Sequence, residues 1–175
     1  KGFETILSTA DLLIRNSKLN FVWRVIGLTD KSNSVKIVKK WKKVNLKSIN
    51  VELLGFKNDK EITEILLSSD IYCQVSHIEN SPNSLCEAMM LGMKIIATNA
   101  GGSASLIRDN EEGIIIQDGD SLSMAGAIVE LINDKEKALR LSENAKIKAI
   151  VTHNKSMIIA DLLKVYESII KEWHE

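Results

Sequence analysis

The chain is poor in the residues that mark several protein classes. Among 175 residues there are one proline, two cysteines and three histidines, and only 5% are aromatic. Cys73 and Cys86 show no Cys-x-x-Cys spacing and offer no framework for a disulfide-stapled secreted domain. The three histidines, His77, His153 and His174, are scattered, without the paired ligand sets a zinc site draws on, so no metal is expected. No excess of either charge exists: 23 Lys+Arg balance 23 Asp+Glu. That removes the positive field on which general nucleic-acid binding depends, and no nucleic-acid partner is expected. Apolar runs such as Ile114 to Ile116 fall far short of the ~20 residues of a spanning helix, and no charged-then-apolar leader opens the chain, so a cytoplasmic protein is expected. The chain starts at Lys1 rather than Met and runs straight into a helical pattern, which suggests a fragment or a processed chain.

What is present is the composition of one globular domain over 1–175, 45% hydrophobic and 26% charged. Phe3, Ile6, Leu7, Ala10, Leu13 and Ile14 recur at helical spacing. Strands are expected over 21–26, 51–54, 71–75, 94–98 and 113–116, with helices near 35–46, 61–68 and 83–91 between them. Such alternation implies a Rossmann-like, doubly wound parallel α/β sheet with helices on both faces. After Asp120 three helical patterns follow, 121–132, 135–150 and a closing helix over 156–173. The last carries Ile159, Leu162, Leu163, Tyr166, Ile170 and Trp173 on one face, which predicts docking on an apolar surface.

Ligands of open α/β sheets sit beyond the carboxyl ends of the strands. The loop after the third strand runs from Ser76 to Pro82, and Ser81 as N-cap with Pro82 as first helical residue predicts a helix start there. Its free N–H groups favour an anion such as a diphosphate. Gly101-Gly102-Ser103 lets backbone approach a ligand closely and opens a second short helix, so two helix N-termini are expected to form a phosphate cradle. Glu79 and Glu87 bracket the first turn, and carboxylates beside such a cradle suit vicinal sugar hydroxyls. Neither Gly-x-Gly-x-x-Gly after a strand nor Gly-x-x-x-x-Gly-Lys-Ser/Thr occurs, which disfavours simple dehydrogenases and P-loop enzymes.

Glu79-x7-Glu87 with Ala88-Met89 and Gly92, then Ile95-Ile96-Ala97-Thr98 and Gly101-Gly102, resembles the retaining GT-B glycosyltransferases of family 4, also called glycosyl transferases group 1. Lys1-Gly2, Leu54-Gly55-Phe56 and a closing helix with Tyr166 extend the likeness over nearly the whole chain. The resemblance implies the C-terminal, donor-binding lobe of a two-lobe enzyme. On that basis Glu87 would hold the ribose hydroxyls of a nucleotide-diphospho-sugar, and Glu79, the candidate catalytic residue, would contact the transferred sugar. Backbone amides of Asn83, Ser84 and Leu85, with Gly101 and Gly102, would meet the diphosphate. Gly55, Phe56 and Lys57 would lie against the base, and Lys1 matches the family's diphosphate-binding lysine. Neither metal nor cofactor is implied beyond the donor substrate, and the acceptor site belongs to an N-terminal lobe outside this chain. The fragment alone is therefore expected to bind donor without transferring sugar.

The departures from the family pattern are specific. Asn80-Ser81-Pro82 stands for Gly-Phe-Gly, and Ser105 for a glutamate. The family's upstream arginine and the strand before it have no counterpart here. A GT-B sugar-nucleotide epimerase and a non-catalytic α/β binding or regulatory domain are the alternative readings. Residues 36 to 47 hold six lysines and no acid, with Ile37, Trp41 and Val44 at helical spacing. The simpler expectation is that this apolar stripe packs on the sheet while the lysines are solvated. The other reading is a basic face beside an anionic membrane or a lipid-linked acceptor, which would place the protein peripherally at the inner membrane face. Met89, Met90 and Met93 are expected to fill the core, and His77 is expected to be a polar loop residue without a partner.

Overall fold

The computed structural model describes residues 2–173. In chain order these form α1 (Phe3–Asn16), β1 (Trp23–Ile26), α2 (Asn33–Lys42), a 3-10 turn (Lys47–Ile49), β2 (Val51–Gly55), α3 (Asp59–Leu67), β3 (Ile71–Gln74) and α4 (Asn83–Met90). Then come β4 (Lys94–Thr98), α5 (Ser103–Leu106), β5 (Ile114–Ile116), α6 (Ser121–Asn133), α7 (Lys135–Thr152) and α8 (Lys155–Glu172). The expected alternation and all five strands are present. All pairing is parallel, but the strands fall into two hydrogen-bonded sheets, β1-β2 and β3-β4-β5, rather than one. Among the described residues β1 pairs only with β2 and β3 only with β4.

Packing shows the double winding. On β4, Ile96 joins a core cluster with α1, α6 and both sheets, while its neighbours Ile95 and Ala97 join a second cluster with Leu85, Met89, Ala145 and Ala149 of α4 and α7. Successive side chains of a strand point to opposite faces, so helices cover β4 on both sides. The fully buried Leu7, Leu85, Ile95, Ile96 and Leu141 mark these two layers. Met89 and Met93 are buried as expected, whereas Met90 is exposed because α4 turns it away from β4.

Two helices depart from the sequence reading. On α2 the buried residue is Val35, with Val38 half-buried beside it; Ile37 and Trp41 are 67% and 65% exposed. The expectation that Ile37 and Trp41 pack on the sheet is therefore overturned, because Val35 and Val38 already fill that contact. Along α8 no residue is buried, and its stripe from Ile159 to Ile170 packs on nothing within the described chain. No helix among the described residues is long and apolar enough to cross a membrane.

Candidate functional site

The loop between β3 and α4 is built by contacts at both ends. Tyr72 Oη donates to Ser84 Oγ at 2.8 Å, tying β3 to the first turn of α4. Burial, only partly offset by that bond, pushes the Tyr72 phenol up to about 12, so the ring acts as a neutral donor at physiological pH. Thr98 Oγ1 donates to the Ser76 carbonyl at 2.6 Å, pinning the start of the loop to β4. Ser76 Oγ then donates to Glu79 Oε2 at 3.1 Å, and the Asn80 N–H donates to Glu79 Oε1 at 3.1 Å. Both Glu79 oxygens are thus held by hydrogen bonds from their own loop.

The turn Gly101-Gly102 lies against this loop. A Cβ on Gly101 would stand 1.5 Å from the Glu79 carbonyl oxygen, and one on Gly102 would stand 2.0 Å from that of Asn80. Gly101 also has φ +51°, which side chains tolerate poorly. The double glycine is therefore needed first for the close approach of two loops. Any approach to a ligand is additional.

Helix α4 begins one residue later than the sequence reading placed it. Pro82 occupies the N-cap, and Asn83 is the first helical residue. Proline has no side-chain acceptor, so the cap depends on its carbonyl, which accepts from Leu85 at 3.0 Å and Cys86 at 3.3 Å. Of the three amides expected to meet a diphosphate, that of Leu85 is thus engaged within the helix, and its side chain is fully buried. The N–H groups of Asn83 and Ser84 have no partner among the described residues. The second expected helix, α5, is a single turn of four residues whose Ser103 N–H donates to Ala100. Of the two helix N-termini expected to form a phosphate cradle, only that of α4 belongs to a helix longer than one turn.

Glu87 sits in the second turn of α4 with its side chain exposed, and no hydrogen-bond partner for it occurs among the described residues. At the end of β2, Gly55 has φ +69° and exchanges backbone bonds with the β1 loop, accepting from Gly27 at 2.7 Å and donating to Leu28 at 3.0 Å. That turn leaves the Phe56 ring 88% exposed. Lys57 pairs with Glu61 at 2.9 Å. An open groove of about 340 Å³ between Arg24, Leu54 and α3 reaches the candidate site only at Lys57. Lys1 lies outside the described residues.

One group escaped the sequence reading. His77 is clasped between two carboxylates: its Nε2 lies 2.6 Å from Glu4 Oε1, and its Nδ1 bonds to Asp118. Both ring nitrogens can donate only as the imidazolium. The Glu4 bond first, and then the Asp118 bond, raise the His77 pKa above 6.5. Glu4 is lowered: partial burial works against this, but its backbone N–H and the His77 ring outweigh it. The β3 loop is thereby tied to the start of α1 and to the β5–α6 turn.

A sequence profile described as "Glycosyl transferases group 1" matches residues 1–148. The chain belongs to that family. The α-1,3-N-acetylgalactosaminyltransferase of Campylobacter jejuni named for N,N'-diacetylbacillosaminyl-diphospho-undecaprenol is 28% identical over 171 residues, 98% of this chain and 42% of the relative. The chain thus spans less than half the length of that glycosyltransferase. Among solved structures, the C-terminal domain of a glycosyl transferase group 1 protein from Francisella tularensis superposes with a TM-score of 0.73 at 24% identity, over 89% of this chain and 80% of that one. Anabaena HepE, solved with UDP-glucose, gives 0.73 at 22% identity over 94% and 46%. The fold is that of the C-terminal lobe of GT-B glycosyltransferases, and the expected fold class stands. Within this family frame, the β3–α4 loop and the Gly101-Gly102 turn are the parts to test for donor binding.

Proposed function

We propose that this chain is the donor-binding lobe of a retaining glycosyltransferase that moves a hexosyl group from a nucleotide-diphospho-sugar to a glycan or lipid-linked acceptor. One observation carries the reading: the Glu79 loop, locked against Gly101-Gly102, stands immediately before the two free amides and the exposed Glu87 of α4. A diphosphate meets the Asn83 and Ser84 N–H groups, where the helix dipole adds favourable potential. Glu87 accepts from the ribose diol, and Glu79 accepts from hydroxyls of the transferred sugar. Exposed Phe56 offers a ring face to the base. Negative charge that builds on the leaving diphosphate is stabilised by the fixed α4 amides, an electrostatic contribution that requires no metal. Lys1 is assigned to the same diphosphate.

The sugar acceptor would occupy a second lobe, and the exposed stripe of α8 suits docking on it. The free edges of β1 and β3 suit a further strand that would join the two sheets. The named Campylobacter relative and HepE support a lipid-linked acceptor and a uridine diphosphate donor as first choices. Thermal melts with UDP, GDP, ADP and their sugars test the reading. Ligand at a hundred times Kd adds about 2.7 kcal/mol, which for a chain of this length is roughly 5 to 10 °C. No shift with any of them would remove the donor-lobe reading.

A further inference from the structure

We infer that the outward face of α2, Ile37 and Trp41 set among lysines, docks on an anionic lipid bilayer. The inference deepens the proposed function and rests on its lipid-linked acceptor for its purpose, though not for its geometry. Helix α2 carries two pairs of apolar side chains that differ in burial. Val35 and Val38 face the core, while Ile37 and Trp41, one helical turn apart, project outward at 67% and 65% exposure. A helix that only covers a sheet needs one apolar stripe. The second stripe includes a tryptophan, which prefers the boundary between water and an apolar phase.

Charge selects the occupant. From Lys31 to Val51 there are seven lysines and no acid, in a chain whose total charge is zero. Lys36 and Lys40 flank the outward pair, and Lys31, Lys43 and Lys47 extend the exposed basic surface. Lys39 is answered by Asp30 at 3.0 Å, and Lys42 leans over the Trp41 ring at 4.6 Å. Those two are satisfied within the protein, so the remaining five lack an acidic partner among the described residues. An apolar pair ringed by lysines matches acyl chains bounded by anionic headgroups. Helix α8 is the other exposed apolar element, but its Lys155, Lys164 and Lys171 are cancelled by Asp161, Glu167 and Glu172. Its stripe therefore has no charge preference for such a surface.

Flotation of the 175-residue chain with vesicles of phosphatidylcholine alone, or mixed equally with phosphatidylglycerol, tests the inference. Binding should be at least tenfold stronger to the mixed vesicles and should weaken as salt is raised. Ile37→Ala with Trp41→Ala should cut it at least tenfold without lowering Tm, since both side chains are at the surface. Lys36→Gln and Lys40→Gln should each cost about fivefold. In a Trp173→Phe background, which leaves Trp41 and the half-buried Trp23, tryptophan emission should shift to the blue on mixing, and the shift should vanish when Trp41→Phe is added. Equal binding to neutral vesicles, loss through Leu162→Ser and Leu163→Ser instead of the α2 pair, or tighter binding to duplex DNA than to vesicles overturns it. Nucleotide melts on the same preparations separate the two readings. A nucleotide shift without flotation defeats the docking surface alone, and flotation without a nucleotide shift defeats the donor lobe alone.

Discussion

His77 Nε2 lies 2.6 Å from Glu4 Oε1, although the two residues are 73 positions apart, so a charge pair fastens the candidate donor loop to the first turn of α1. With Asp118 on the other ring nitrogen, the imidazolium joins three segments at the carboxyl end of β3. A pH dependence follows from the directions of the two shifts. The folded pKa of His77 is raised, so its contribution is complete below about 6.5 and is lost as pH rises through the raised value. The Glu4 pKa is depressed, so its contribution holds above about 4.5 and is lost as pH falls through the lowered value.

His77→Ala should therefore destabilise most between those limits. Hydrogen bonds to charged groups, discounted for partial exposure, suggest about 1 to 2 kcal/mol near pH 6, or roughly 3 to 6 °C. The gap in Tm between wild type and variant should narrow as pH rises past the raised His77 pKa, the limit beyond which the ring is neutral in both states. A gap that stays constant from pH 6 to that limit would refute the charged clasp.

Gly102→Ala isolates the interlock of the two loops. Gly102 has an ordinary helical φ of −72°, so the substitution adds no backbone strain, only a Cβ aimed at the Asn80 carbonyl. Overpacking of this kind costs about 1 to 3 kcal/mol. Because Asn80 adjoins Glu79, nucleotide affinity should fall with stability. Unaltered Tm and unaltered affinity would mean that the loops can part freely.

Much of this fold is legible in the sequence because strand and helix periods differ, and every strand ends near a turn residue. The split into two sheets is not, since hydrogen bonding between strands far apart in the chain leaves no local mark. In the same way Glu79, Glu87 and the double glycine stand out through order and spacing. The carboxylates that clasp His77 do not, because Glu4 and Asp118 come from segments 73 and 41 residues away. The outward turn of Trp41 was hidden for another reason. Lysines on every side of α2 blur its apolar period, and only the burial of Val35 reveals which face is inside.

Glu87 and Glu79 should respond differently to substitution. Glu87 has no described partner to lose, so Glu87→Ala should leave Tm within about 0.5 kcal/mol while weakening nucleotide binding by about 2 to 4 kcal/mol. Glu79→Gln keeps an acceptor for Ser76 but loses the charge, so it should spare binding of the bare nucleoside diphosphate and weaken the sugar nucleotide. Calorimetric titration with UDP and UDP-glucose separates the two. Equal losses for both ligands in Glu79→Gln would remove its assignment to the sugar.

Gln74 poses a question of stability beneath the same turn. Its side chain is buried, Oε1 accepts from Ser103 Oγ at 3.2 Å, and Nε2 has no partner among the described residues. A buried unpaired donor costs about 1 to 3 kcal/mol. Gln74→Leu removes that orphan but strands the fully buried Ser103 hydroxyl, so the single change should be near neutral. Gln74→Leu combined with Ser103→Ala removes both polar groups and should stabilise by about 1 kcal/mol. If the double variant is less stable than either single variant in urea melts, the Gln74 amide has a role that packing does not explain.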